Sequence, residues 1–175
     1  MTKLILVLTL LVAPFAFAQE GAWVSAVNTN EVTRETYTAF ITRAIRTSDD
    51  TEVQLICRWE DAKRKDESCG FLLVEEHIID YSTYNVLLKK RQPPVAHVDL
   101  RFGDGKLQQK RILSSSGAYH VGWMDRRVPR NLIKALIKGE EIAVSIPIYG
   151  QVDITAVFSA AGFKELYDAQ LVGKP

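Results

Sequence analysis

The sequence predicts a mainly β protein, an antiparallel β-sandwich or a strongly curved sheet with two short packed helices. Three observations predict it. Apolar residues recur with period two through most of residues 22–158. The strand-like runs are rich in Val, Ile, Thr, Tyr and Phe, which fit a pleated and half-buried surface. Gly, Asp and Asn interrupt them at short intervals, as turns between antiparallel strands do. Strands are expected near 22–28, 37–46, 51–59, 69–77, 84–90, 95–102, 106–113, 118–124, 141–148 and 152–158.

In residues 51–59, Thr51, Val53, Leu55, Cys57 and Trp59 fall on one face, and Glu52, Gln54, Ile56 and Arg58 on the other. Beyond a charged stretch, Cys69, Phe71 and Leu73 share a face of the next strand. Two hairpins are legible. Gly103-Asp104-Gly105 joins 95–102 to 106–113, and Tyr149-Gly150-Gln151 joins 141–148 to 152–158. Pro147 has no amide hydrogen for a ladder, so its strand should lie at an edge or stop there.

One helix is expected to start at Pro129, to carry Leu132, Ile133, Leu136 and Ile137 at helical spacing, and to end at Gly139, which suits a left-handed cap. A second starts near Gly162, with Phe163, Leu166 and Tyr167 on one face and Ser159 as its N-cap. Trp23, Trp59 and Trp123 each fall in an expected strand and are read as core.

The first residues read as a secretory leader: Lys3, an apolar run over Leu4–Val12 broken by Thr9, then Pro14 and Ala16-Phe17-Ala18 with small residues at the cleavage-determining positions. Residues 1–18 are expected to be removed, leaving 19–175 as one β-rich globular domain. The apolar run is shorter than the roughly 20 residues of a membrane span, and no later segment approaches that length. The expected location is periplasmic or secreted, with no transmembrane segment after cleavage. Loss of residues 1–18 removes Lys3 and no acid, leaving 21 basic and 21 acidic side chains. Such a balance gives no whole-molecule drive toward nucleic acid.

An oxidising compartment makes Cys57 and Cys69 natural partners across the mouth of a hairpin. The eleven residues between them include eight charged ones, as a solvated loop would. The spacing differs from the C-x-x-C of redox-active pairs.

His97, Asp99 and Arg101 alternate with Ala96, Val98, Leu100 and Phe102, which places the three polar groups side by side on the face away from the core. Arg101 offers a planar fork for a carboxylate or phosphate. A metal site here would need His120 or His77 from elsewhere, and none is expected. On the first helix Arg130, Lys134 and Lys138 recur at every fourth position, forming a basic stripe opposite the apolar one. The bias of Lys134 and Lys138 to the C-terminal end also suits the helix dipole. Ser114-Ser115-Ser116-Gly117 reads as a turn, and G-x-S-x-G and Gly-rich phosphate loops are absent from the sequence. No catalytic set and no cofactor is expected.

From 95 to 171 the order of features is V-D-L-R-F-G-D-G, a Ser-rich turn at 114–116, an aromatic strand, a helix with Leu132 and Leu136, A-V-S-I, and V-F-S-A-A-G-F-K-E-L. This order resembles small periplasmic proteins of the type VI secretion-associated TagO/VasI kind, as does Asp49-Asp50-Thr51 before a strand. It departs from them at Gly103, where that pattern has an acid, and in lacking a Cys near the C-terminus. The resemblance implies an envelope binding or accessory protein without catalysis, contacting an envelope protein or a cell-wall component. Two other readings stay open. One is a periplasmic inhibitor or immunity factor against a cell-wall enzyme, since Ser116-Gly117-Ala118-Tyr119 resembles the S-G-x-x-Y loop of a lysozyme-inhibitor family, one residue short. The other is a hydrolase whose groups converge only in space.

Overall fold

Alternation in the sequence becomes a single ten-stranded antiparallel sheet in the computed structural model, which describes residues 21–29, 36–60, 68–74, 79–80, 95–115, 118–124 and 128–169. The strands are β1 (Val24–Thr29), β2 (Thr36–Arg43), β3 (Arg46–Thr47), β4 (Val53–Glu60), β5 (Ser68–Leu73), β6 (Val95–Phe102), β7 (Gln108–Ser115), β8 (Ala118–Met124), β9 (Ile142–Ile146) and β10 (Ile154–Phe158). The helices are α1 (Val128–Ile137) and α2 (Phe163–Tyr167). The spatial order is β1-β2-β4-β5-β8-β7-β6-β9-β10-β3. Of the two expected architectures, the curved sheet is the one formed.

The curl follows from where β2 and β3 bond. They are separated by two residues, yet β2 pairs with β1 and β4 while β3 pairs with β10 at the far end of the order. Ala44 donates its amide to Val53 of β4 (2.9 Å), and the next residue, Ile45, donates to Val157 of β10 (2.8 Å). Ser48 then donates to Thr155 (2.9 Å). One short segment therefore touches both sides of a half-barrel. The expected single strand over 37–46 is broken here, because pairing at the distant strand outweighs the local pattern.

Inside the curl, one face of each strand fills the core. Phe40 of β2, Leu55 and Trp59 of β4, Phe71 and Leu73 of β5, Ala96, Val98 and Leu100 of β6, Ile112 of β7, Val144 of β9 and Phe158 of β10 are all buried. Thr51, Val53, Leu55, Cys57 and Trp59 are buried as the alternation requires. α1 closes the concave side, burying Leu132, Ile133, Ala135 and Leu136. Each such Leu or Ile chain contributes about 1.5–3 kcal/mol by leaving water. α1 ends as expected: Gly139 has φ +82°, its amide bonds Leu136 O and the amide of Glu140 bonds Ala135 O, the paired closure of a Schellman motif.

α2 lays Phe163 between Trp23 and Phe40, with ring centroids 4.7 Å and 5.8 Å away. Its cap differs from the expectation. Gly162, in a left-handed conformation, occupies the N-cap, while the Ser159 hydroxyl accepts the Ala161 amide in a turn of its own. The Ser159 carbonyl accepts Trp23 Nε1 (2.8 Å) and ties the start of the described chain to this corner.

Other boundaries shift by a few residues. β5 stops at Leu73, β7 starts at Gln108, and β9 and β10 are shorter at their turn ends than the sequence indicates. β9 stops one residue before Pro147, but it is an interior strand between β6 and β10, so only the termination half of that expectation holds. The expected strand over 84–90 and the leader over 1–18 lie outside the described residues.

Two glycines set close contacts between β5, β7 and β8. A Cβ on Gly122 would sit 2.4 Å from Ile112 Cδ1, and one on Gly70 would sit 2.7 Å from the Gly122 carbonyl oxygen. Gly122→Ala and Gly70→Ala are each expected to cost about 1–3 kcal/mol by overpacking. Urea unfolding of each variant measures the loss, and midpoints matching the parent would contradict this packing.

Candidate functional site

The six polar residues singled out in the sequence do not form one site. His97, Asp99 and Arg101 point to the convex face of β6, since Ala96, Val98 and Leu100 take the concave one. Arg130 and Lys134 belong to the helix that closes the concave side, and Lys138 follows its last residue. The sheet separates the two groups.

On the convex face, register extends the β6 row sideways. His97 faces Arg111, Asp99 lies between Gln109 of β7 and Ser145 of β9, and Arg101 faces Ala143. The Ser145 hydroxyl donates to Asp153 across 3.5 Å. Further along, Arg46 of β3 meets Glu141 at 3.4 Å, both side chains more than half exposed. This is a mixed-charge field. An exposed pair of this kind contributes about 0–1 kcal/mol.

Trp123 is also on the convex face, contrary to its expected place in the core. Gly122 takes the inward position in β8 because its missing Cβ makes room for Ile112, and Trp123 is turned out by parity. Its ring lies over Gly70, and the Arg58 guanidinium stands 4.5 Å from the ring centroid with Nε donating to Ser68 Oγ (2.9 Å). The arrangement is a cation–π stack that reaches from β4 to β8 across the intervening β5. Trp59 is in the core as expected, and Trp23 packs at its edge.

The basic stripe is more open. Arg130, Lys134 and Lys138 are all exposed. Among the described residues, the one ion pair they make is Lys138 Nζ with Glu140 at 3.9 Å, while Glu141 and Glu165 line the same cleft as Lys138 at one end of the stripe. α1 carries no acid in its first turn either. Three cations about one helical turn apart thus form a one-sign strip on the outer side of a firmly packed helix.

Two clefts are also present, one of them reaching Lys138, and neither is signalled by a sequence motif. One, of about 500 Å³, opens at the seam where β2 passes into β3 and is lined by Arg43, Arg46, Thr47, Asp50 and Glu52 among others. Arg43 Nε is 2.9 Å from Glu52 Oε1 there, and Asp50 holds φ +62°, a conformation that a non-glycine residue seldom adopts. The other, of about 410 Å³, lies between the end of α1 and the start of α2. On its rim Lys164 donates to Asp168, whose carboxylate, hydrogen-bonded and adjacent, raises the lysine pKa above its ordinary value. Both are shallow and neither gathers a nucleophile beside a base. Among the described residues, no group of three His, Cys, Asp or Glu could hold a metal ion. The side chains of His77 and His120 lie outside the described set.

Cys57 and Cys69 face each other directly in the β4–β5 register and are joined by a disulfide. Among the described residues no helix is long and apolar enough to cross a membrane. Comparison of the chain with protein-family models, with curated proteins and with solved structures finds no match.

Replacing Cys57 and Cys69 together by Ser removes the closure of the hairpin loop, for which chain entropy gives about 3 kcal/mol. A fall in melting temperature of roughly 6–12 °C is expected for a domain of this size. Scanning calorimetry of the double variant checks it; an unchanged melting temperature would show that the bridge constrains nothing.

Proposed function

We propose that this chain is an exported binding or accessory protein of the cell envelope, acting through surface contact and not through catalysis, with the basic face of α1 as its contact for an acidic partner. The observation that carries the reading is the exposed strip Arg130, Lys134 and Lys138, in which only Lys138, at one end, is ion-paired among the described residues. A helix buried along Leu132 and Leu136 holds those cations on a rigid support, so little ordering entropy opposes their use. The disulfide supports an oxidising compartment, and the leader-like residues 1–18 support export to one. The order of motifs over 95–171 adds the narrower proposal of a secretion-associated role of the TagO/VasI kind.

Both halves of the proposal are tested on one preparation. Protein recovered from outside the inner membrane is expected to begin at Gln19 with both cysteines oxidised, by intact mass. It is further expected to cosediment with cell-envelope fractions in low salt and to be released as salt rises, because exposed charges are screened. Arg130→Gln, Lys134→Gln and Lys138→Gln together should weaken that binding by about tenfold, at about half a kcal/mol per lost charge pair. The triple variant should keep the parent's melting temperature, since all three side chains are exposed. Full binding by the triple variant would refute the assignment of the contact to α1.

A further inference from the structure

The two ends of the sheet are finished differently. At one end stands β3, two residues long, with Arg46 exposed on it. Shortness and charge are how natural sheets blunt an edge. At the other end stands β1, six residues long and paired residue for residue with β2 from Val24↔Ile41 to Thr29↔Thr36, without a bulge. Among the described residues no strand lies beyond it. From Gly21 to Thr29 the sequence GAWVSAVNT contains no charge and no proline, and Val27 is 60% exposed. Such an edge presents unpaired backbone donors and acceptors to any strand that can lie beside it.

We propose that β1 is a self-association edge, pairing antiparallel with β1 of a second copy of this chain about a two-fold axis. Charge decides for a second copy. A two-fold contact sets a strand against its own sequence, so any charge near the axis would face its like, and β1 carries none. With the axis at Ala26, Ser25 faces Val27 of the partner subunit, and the two Val27 side chains are diagonal neighbours, about 7–8 Å apart in a regular ladder. The edge is about 20 Å long. A contact one strand wide and of that length buries well under the ~800 Å² per partner of a standard stable interface. The dimer is therefore weak and concentration-dependent. It leaves the exposed strip on α1 uncommitted and does not depend on the function proposed for it.

Sedimentation velocity of the oxidised full-domain protein, from micromolar to near-millimolar concentration, tests the pairing. The parent is expected to shift from monomer to dimer across that range. Val27→Lys and Val27→Glu should each remain monomeric with the parent's circular dichroism, since an exposed side chain is changed. An equimolar mixture of the two variants should regain dimer, because opposite charges then sit at the diagonal. A parent that stays monomeric throughout would overturn the proposal and leave the edge to a strand of different sequence. Dimerisation of both variants at the parent's concentrations would overturn it by moving the interface away from β1.

Discussion

Closure of the sheet through Ala44 and Ile45 is the constraint on which the rest of the structure depends. Adjacent amides bond to β4 on one side and β10 on the other, so the curvature of ten strands is fixed where the chain passes from β2 to β3. A flat sheet of these strands would leave its apolar face open to water. Curled, the same face surrounds Phe40, Phe71, Phe158 and Leu100, and two short helices suffice to cover the opening. α1 supplies aliphatic side chains and α2 supplies Phe163, which joins the Trp23, Phe40 and Trp59 corner through edge-on and tilted ring contacts.

The concave side is committed to packing, and the polar groups are left to the outside. This is why the sheet divides the polar features of the sequence into separate surfaces. The convex face presents His97, Asp99, Arg101 and the stacked Arg58–Trp123 pair in a field where acids and bases interleave. The outer side of α1 presents cations of one sign. A mixed field largely neutralises itself at short range, whereas a one-sign strip projects a potential that an acidic surface can meet. That contrast, and not the number of charges, is why α1 is the contact we propose.

Much of the fold is legible in the chain, and the parts that are not share a cause. The alternation of 51–59 gives the inward face of β4 residue by residue, and the matching parity of Cys69, Phe71 and Leu73 gives the disulfide partner. Pro129 and Gly139 bracket α1 because local conformational preferences act there. The break between β2 and β3 has no Pro or Gly to mark it; the residues alternate through it, and only bonding to Val157, more than a hundred positions away, decides it. Trp123 is misplaced by size alone, because the inward position beside Ile112 requires the smallest residue and Gly122 has it. Ser159 has the chemistry of a cap, but its hydroxyl is taken by Ala161 one turn too early. Of the candidate site, the stripe on α1 follows from helical spacing. The seam cleft does not, since its lining is assembled by closure.

Amide hydrogen exchange resolved at Ala44, Ile45 and Ser48 tests the closure most directly. If the curl is held there, these three amides exchange as slowly as those of β4 in the sheet interior, opening only with the global unfolding of the domain. Exchange at the rate of an exposed loop, with β4 still protected, would mean that β3 and β10 part freely and that the half-barrel is held by something other than this seam.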